Sequence, residues 1–231
     1  MTLDPTATLG DLVTQDPRRS RILQEYRLDY CCHGERTLET ACLEAGIDPA
    51  ELVDRLDLPH TGETPTWQEL DIAQLARHII DVHHRYLWDE MPSLGELIDL
   101  VVGVHSERHP ELAQVAADYE SLTTDLASHL AKEERILFPS IIALATPGAE
   151  PIFPGSLVGP ITHMLSEHDV AGDLLRRIRA TTGDFAAPDD ACPSCRAMLK
   201  RLEAMESDVH EHIHKENNVL FPRVLEFERT R

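Results

Sequence analysis

Hydrophobic residues recur every three or four positions along most of the chain, which is the spacing of one face of an α-helix. Beyond residue 66 this pattern predicts four long helices, at about residues 67–91, 111–145, 159–180 and 192–228. Loops rich in Pro, Gly and Asp separate the second helix from the third and the third from the fourth. Four long helices joined in this way predict an all-α fold with an up-and-down four-helix bundle.

The segment before the bundle predicts a small helical N-terminal domain. Four short stretches carry the helix pattern, near residues 9–12, 20–28, 38–46 and 49–57. Thr37 and Asp48 are predicted to cap two of these helices, and Gly46 is predicted to end one. A stretch rich in Pro, Gly and Thr predicts a linker. The predicted organisation is a helical domain at 1–58, a linker at 59–66 and the bundle at 67–231.

An eleven-residue segment occurs twice in the predicted bundle. Residues 129–139 (HLAKEERILFP) and 212–222 (HIHKENNVLFP) are identical at six of eleven positions. His84 precedes the first copy by 45 residues, and His168 precedes the second copy by 44. Each half therefore has one histidine on a helix and His-x-x-x-Glu on the next, so the bundle resembles two copies of a helical hairpin.

The histidine and glutamate of each copy fall within the hydrophobic face of their helix. Residues four apart lie on the same side of a helix, about 6 Å apart along its axis. The predicted buried faces are Ile80, His84, Leu87 and Met91; Leu122, Leu126, His129, Glu133, Ile136 and Ser140; Leu165, His168, Ala171 and Leu175; and Leu202, Met205, Val209, His212, Glu216 and Val219. Buried carboxylates are costly without a cation, so the pattern predicts a metal site.

The residue types of this site favour iron. Imidazole and carboxylate ligands without thiolate suit iron, and bundles that offer them from facing helices hold pairs of iron ions. Two glutamates can bridge two ions and leave two histidines for each. Hydrogen-bonded core histidines are the alternative, but repetition of all six residues in register favours metal. His83 is a competing candidate for the position of His84, whereas solvent or loop positions are predicted for His105, His109, His210 and His214.

The composition excludes several classes of function. The net charge is −20, with 41 acidic and 21 basic side chains among 231 residues, which disfavours nucleic acid and anionic membrane surfaces as partners. No window approaches the ~20 apolar residues of a membrane span. The N-terminal residues lack the basic and apolar regions of a secretory signal, so a cytoplasmic protein is expected. The odd count of five cysteines favours free thiols.

These motifs resemble those of a known family. The bundle resembles the hemerythrin-like domain, and nearly the whole chain is similar to the repair-of-iron-centres family, di-iron proteins that restore iron–sulfur clusters damaged by nitric oxide or oxidants. The resemblance rests on four stretches, at residues 29–32, 128–139, 166–169 and 212–222. It implies two non-haem iron ions with an oxo or hydroxo bridge.

The same resemblance assigns a role to each predicted ligand. It implies that the terminal ligands are the histidines at 84, 129, 168 and 212, and that Glu133 and Glu216 bridge the ions. It also favours His84 over His83. Oxygen-carrying hemerythrins have a further histidine where this chain has Met164, which implies more open coordination positions here.

Three functions remain open at this level. The first is repair of damaged iron–sulfur proteins under nitrosative or oxidative stress, by donating iron or removing nitric oxide. The second is reduction of nitric oxide or oxygen at the di-iron site, and the third is a hemerythrin-like oxygen or iron sensor. Adjacent thiols at Cys31 and Cys32 favour repair, because thiolates can accept iron or a nitrosyl group; buried, inert cysteines are the alternative. Whether the chain is an enzyme, and whether it forms a homodimer, stay open.

Two smaller features adjoin these motifs. Asp125 lies one turn before His129, and Glu167 adjoins His168, so both are predicted to orient imidazoles or to guide a cation. A solvated surface charge is the alternative for Glu167. Cys192 and Cys195 have the C-x-x-C spacing of redox dithiols, but the βαβ context of thioredoxin is absent. The Pro193 that comes after Cys192 instead favours the start of a helix.

Overall fold

The structure is a computed structural model, and it describes residues 3–59, 66–150, 152–153 and 155–230. Within these ranges the regular secondary structure is helical and no strand occurs, which confirms the predicted all-α class. The chain divides into two compact units, one formed by residues 1–76 with 211–231 and the other by residues 77–210. No helix in the described ranges is both long and apolar enough to cross a membrane.

The first unit begins with the four short helices that the sequence predicts. They are α1 (Leu9–Gln15), α2 (Arg19–Glu25), α3 (Leu38–Ala45) and α4 (Pro49–Leu56). The hydroxyl of Thr37 accepts a hydrogen bond from the N–H of Thr40, and Asp48 caps α4 in the same way. Gly46 ends α3 in the left-handed conformation, with φ of 69°. Most of the predicted linker, residues 60–65, lies outside the described residues.

The second unit contains most of the predicted bundle. Its helices are α6 (Arg85–His105), α7 (Leu112–Lys132), α8 (Phe138–Ala145), α9 (Val158–Thr181) and the greater part of α10 (Pro193–Lys215); α5 (Ile72–Ile79) precedes them and α11 (Phe221–Arg229) comes after them. α7 packs along α6 and α9. Ion pairs tie α10 to its neighbours, from Arg201 to Glu90 of α6 and from Arg179 of α9 to Glu206. The helical bundle predicted from the periodicity is confirmed, and it is consistent with the hemerythrin-like fold that the resemblance implies.

The first long helix extends well past its predicted end at residue 91. α6 continues through Pro92 to His105. A proline inside a helix costs about 3 kcal/mol, because it removes a backbone hydrogen bond and crowds the preceding turn. Burial of Leu94, Ile98 and Val101 in the following turns contributes about 1.5–3 kcal/mol for each side chain, which outweighs that cost.

Among the described residues, three π-helical turns interrupt the helices at the positions of predicted metal ligands. They span Ile80–His84, Glu133–Leu137 and Glu216–Leu220. In the two repeated segments the backbone carbonyl of the glutamate accepts the N–H five residues later, and a proline occupies the next position. Each π-turn holds one residue more than an α-turn and rotates the subsequent side chains by about 100° around the helix. In the first copy Ile136, predicted to be buried, is 48% exposed and Leu137 is buried instead, whereas Val219 at the matching position of the second copy is buried as predicted.

Candidate metal centre

Four of the predicted ligands lie together in the unit of residues 77–210. His84, His129, Glu133 and His168 are all buried. One carboxylate oxygen of Glu133, Oε2, lies 3.4 Å from Nε2 of His84 and 3.3 Å from Nε2 of His129. The Nε2 atoms of His129 and His168 are 3.1 Å apart. Potential ligand atoms of His129, Glu133 and His168 therefore lie within 4.8 Å of one another.

Carboxylates on the outer side of the imidazoles fix which ring nitrogen faces the cluster. Nδ1 of His84 lies 3.2 Å from Oε1 of Glu134, and Nδ1 of His129 lies 2.9 Å from Oε2 of Glu167. A carboxylate accepts, so each Nδ1 donates to it, which leaves each Nε2 facing Glu133 as a potential metal ligand. Lone pairs that face a carboxylate repel it unless a cation lies between them. The donor set of imidazole and carboxylate therefore fits a metal ion.

The structure separates the two neighbouring histidines of the first π-turn. Both rings are buried, but Nδ1 of His83 lies 2.8 Å from Oδ1 of Asp208, whereas His84 faces Glu133. The ring of His84 also stacks on Phe138, with centroids 5.4 Å apart. Phe138 belongs to the Leu-Phe-Pro end of the repeated segment. Of these two histidines, His84 is therefore the one directed at the cluster.

Glu134 is a residue that the sequence analysis missed. It directly succeeds Glu133 and lies off the hydrophobic face, where a solvated charge is expected. Its Oε1 accepts hydrogen bonds from His84 and, at 2.8 Å, from the indole N–H of Trp88. A second acidic residue comes after the repeated Lys-Glu dipeptide only in the first copy. This difference between the two copies is the sequence signal that could have identified Glu134.

The two predicted outer carboxylates, Asp125 and Glu167, line a cavity beside the cluster. The cavity has a volume of about 250 Å³, and its wall is formed by Asp125, Leu126, Ser128, His129, Glu167, His168, Val170 and Ala171. One carboxylate oxygen of Glu167 accepts a hydrogen bond from His129, and the other forms an ion pair with Lys132. Although burial alone raises the pKa of Glu167, these two partners lower it below its ordinary value. Glu167 is therefore a charged group on the cavity wall.

The histidine preceding Glu167 by one turn is no part of the cluster. The His163 side chain is 62% exposed and lies 3.2 Å from Glu167. Met164, at the position of the further histidine in oxygen-carrying hemerythrins, is buried. Leu165, predicted to be buried, is 37% exposed, because the buried face of α9 passes through Met164 instead.

The other unit contains the remaining predicted ligands. His212 lies near the end of α10, and Glu216 opens the next π-turn. Both side chains are buried, and Nε2 of His212 lies 2.9 Å from Oε1 of Glu216. This pair has the same one-turn spacing as His129 and Glu133 in the other copy of the repeated segment. The prediction that the residues four apart meet side by side therefore agrees with the observed geometry in both copies.

The adjacent thiols of the N-terminal segment form a cluster with an aspartate. Oδ1 of Asp29 accepts from the backbone N–H of Cys31 and Cys32, at 3.2 and 2.9 Å, and from the Cys31 thiol at 3.3 Å. The two sulfur atoms are 3.8 Å apart. Cys31 is buried, as in the alternative left open above, whereas Cys32 is half-buried. The bond to Cys32 and burial hold the pKa of the Cys31 thiol well above its usual range.

The thiol turn is tied to the two residues directly after Glu216. The side-chain amides of Asn217 and Asn218 donate to the carbonyl of Cys31, at 3.2 and 3.0 Å. The side chain of Asn218 fits against Gly10 and Gly34 because neither glycine has a Cβ atom. A Cβ atom at either position would collide with the Asn218 side chain. The Asn-Asn dipeptide of the second copy thus has a structural role that its sequence did not reveal.

Two histidines predicted to lie in solvent or loops are buried. His214 lies against the rings of Tyr30 and Trp67, and its Nε2 is 3.3 Å from the Thr14 hydroxyl. Burial lowers the pKa of His214 to about 4, so its ring is neutral at neutral pH. His105 is the last residue of α6 and lies 3.1 Å from the sulfur of Cys192. The periodicity did not identify these positions, because their burial involves contacts with residues distant in the sequence.

Comparisons with known proteins cover nearly the whole chain. Residues 75–224 match a family described as "Hemerythrin HHE cation binding domain", and residues 5–59 match one described as "Domain of Unknown function (DUF542)". Proteins named "Iron-sulfur cluster repair protein YtfE" from Enterobacter sp. (strain 638) and Citrobacter koseri are each 36% identical over 221 residues, 94% of this chain and 96% of theirs. One of the same name from Cronobacter sakazakii is 35% identical over 225 residues, 96% of this chain and 97% of its own.

Proposed function

This chain belongs to the family of iron–sulfur cluster repair proteins with a hemerythrin HHE cation-binding domain, and from that premise we propose that it holds two iron ions and donates iron to clusters damaged by nitrosative or oxidative stress. The observation that carries the proposal is the buried cluster around Glu133, with an acidic cavity directly beside it. A permanently held metal has no need of a charged cavity beside its site, whereas a cation that is released can be attracted into one.

We assign six residues to one centre. The family match over residues 75–224 treats this segment as a single cation-binding domain, and it contains all six predicted ligands. The repeated segment makes His212 and Glu216 the counterparts of His129 and Glu133. The proposed set is His84, His129, Glu133, His168, His212 and Glu216, with both glutamates as bridges. Bound iron supplies a redox-active Lewis acid with exchangeable coordination positions.

The carboxylates around the centre have separate roles in this proposal. Glu134 and Glu167 hold Nδ1 of His84 and His129, which keeps each Nε2 directed inward. Glu167 and Asp125 also line the cavity, where their charges attract a cation that leaves the centre. Glu167 contacts both a ligand and the cavity, so its carboxylate can exchange a hydrogen bond to His129 for a contact with departing iron.

The origin of the iron in a repaired cluster tests this function. The protein is loaded with isotopically labelled iron and mixed with an iron–sulfur enzyme inactivated by nitric oxide. We expect activity to return and the label to appear in the repaired cluster. Asp125→Asn/Glu167→Gln should keep its iron but transfer it roughly tenfold more slowly, since outer-sphere partners change metal affinity and release by such factors.

The control for this variant is Asp173→Asn, which removes an exposed acid of the same helix as Glu167. It should transfer iron at the wild-type rate. Return of activity without label in the cluster would contradict donation and favour removal of nitric oxide. Wild-type transfer rates from the double amide variant would remove the role of the cavity.

We further propose that Cys31 and Cys32 receive the iron or the nitrosyl group on its way to or from the client. Three potential ligand atoms, from Asp29 and the two cysteines, lie within 4.8 Å of one another, and the half-buried Cys32 gives access to them. Thiolates are softer ligands than the carboxylates of the main site, so they suit transfer to a sulfide-rich cluster.

Replacement of both thiols is therefore expected to separate repair from iron binding. Cys31→Ser/Cys32→Ser should hold as much iron as the wild type, because all six proposed ligands remain, yet reactivate the damaged enzyme about tenfold more slowly. Cys42→Ser, which alters a buried cysteine apart from this turn, should behave as wild type. Thermal melting verifies that the variants are folded. Wild-type repair by the double variant would show that the thiols are inert.

A further inference from the structure

A second pair of cysteines lies at the beginning of α10. Cys192 directly precedes Pro193, the first residue of that helix, and its carbonyl accepts the N–H of Arg196. The sulfur of Cys192 accepts the backbone N–H of Cys195 at 3.4 Å, so Cys192 caps the helix. The predicted helix start at Pro193 is confirmed, and the two cysteines of the C-x-x-C motif occupy its first turn.

A buried histidine accompanies this pair. Nε2 of His105 lies 3.1 Å from the sulfur of Cys192, within hydrogen-bonding distance. His105 and Cys195 are buried, whereas Cys192 is half-buried. Helix capping alone requires neither the histidine nor the second cysteine, since a serine or aspartate at the cap position would suffice. The arrangement thus provides a reachable sulfur, a base beside it and a protected second sulfur one turn later.

We propose that Cys192 and Cys195 form a redox-active dithiol that exchanges with disulfides. Cys192 is the attacking residue. The helix N-terminus and the N–H of Cys195 stabilise negative charge on its sulfur, and His105 can take the thiol proton. Burial, together with the nearby Cys192, raises the pKa of Cys195, so this second thiol remains protonated until the first has reacted.

The exchange proceeds in two balanced steps. The Cys192 thiolate attacks one sulfur of a substrate disulfide, forming a mixed disulfide and releasing the other sulfur as a thiolate, which takes up a proton. The Cys195 thiol then loses its proton and attacks the sulfur of Cys192, forming the Cys192–Cys195 disulfide and releasing the second substrate thiol. Two electrons and two protons pass from the dithiol to the substrate disulfide.

This pair is distinct from the proposed metal centre. His105 ends α6 and His84 directly precedes its first residue, so a rise of 1.5 Å per residue places them about 30 Å apart. The dithiol therefore does not share ligands with the metal cluster, and variants of it leave the iron ligands intact. Its chemistry also differs from the proposed repair, so failure of either proposal leaves the other untouched.

Glutathione disulfide is a suitable probe of the exchange in the full-length, iron-loaded protein. After incubation, acid quenching and alkylation, tryptic digestion divides the five cysteines among three peptides. Residues 180–196 contain Cys192 and Cys195 and no other cysteine, residues 28–36 contain the vicinal pair, and residues 37–55 contain Cys42. We expect the peptide 180–196 to carry an internal disulfide, detected as the loss of two hydrogens and of two alkylation sites.

Single variants assign the roles of the two sulfurs. Cys195→Ser should trap glutathione on Cys192 as a stable mixed disulfide, whereas Cys192→Ser should trap at least tenfold less on Cys195. His105→Phe should slow the trapping roughly tenfold, because it removes a hydrogen bond to an ionised partner. Cys195→Ala provides a second test if the serine variant melts below the wild-type temperature. The absence of both the internal disulfide and the trapped species would overturn the proposal, as would equal trapping with and without His105.

Discussion

Glu133→Ala is expected to lose most of the iron that the wild-type protein retains through purification. One oxygen of Glu133 faces the Nε2 atoms of both His84 and His129, so a single truncation removes a neighbour of two imidazoles at once. Loss of a bridging ligand should weaken binding at both metal positions by more than the 10–100-fold that removal of an outer-sphere partner costs. Metal analysis of the purified protein with Mössbauer spectroscopy measures the iron content and the coupling between the ions.

A matched pair of neighbouring histidines serves as the control for this experiment. His84→Ala should lower the iron content, because His84 faces Glu133, while His83→Ala should leave it unchanged, because His83 is bound to Asp208. Glu216→Ala should resemble Glu133→Ala if both glutamates bridge. Two coupled irons with an unchanged spectrum in either glutamate variant would show that the ligand assignment is wrong.

Removal of the metal is expected to lower the melting temperature by about 5–10 °C. Without a cation, the buried Glu133 carboxylate faces imidazole lone pairs, which destabilises the folded state relative to the unfolded chain. Ligand present at about a hundred times its Kd adds about 2.7 kcal/mol, and for a chain of this size each kcal/mol raises the melting temperature by about 2–4 °C. Calorimetry of chelator-treated and iron-reconstituted protein measures the difference.

The His84→Ala variant indicates whether the shift arises at the proposed site. Iron added to this variant should change its melting temperature by far less than in the wild type, since one ligand is missing. His83→Ala should respond to iron as the wild type does. Equal melting temperatures for metal-free and iron-loaded wild type would contradict a buried site that stabilises the fold.

The class of fold and the local relation of the ligands could be predicted because both depend on spacing. Helix periodicity identified the helices, and capping residues such as Thr37 and Asp48 identified where two of the short ones begin. The duplicated His-x-x-x-Glu segments identified Glu133 and its partners, since residues one turn apart meet on any helix. These features depend on residues that are near in sequence, where geometry is nearly fixed.

Contacts between distant segments account for the features that the sequence did not reveal. The burial of His214 requires Tyr30 and Trp67, and the pairing of His105 with Cys192 joins residues 87 positions apart. The exposure of Ile136 occurs within a π-turn, and a search at a fixed period of 3.6 residues does not detect such a turn.

The π-turns also determine how the site can be transferred to another protein. A designer who grafts the ligands onto a bundle of ideal α-helices would preserve each His-x-x-x-Glu pair but omit the additional residue that the native helix holds at Glu133 and Glu216. Every side chain beyond the turn would then arrive about 100° out of phase with the native buried face. A transfer of the site therefore requires the complete eleven-residue segment, including its proline. A sequence alignment that treats the additional residue as a gap would conceal this requirement.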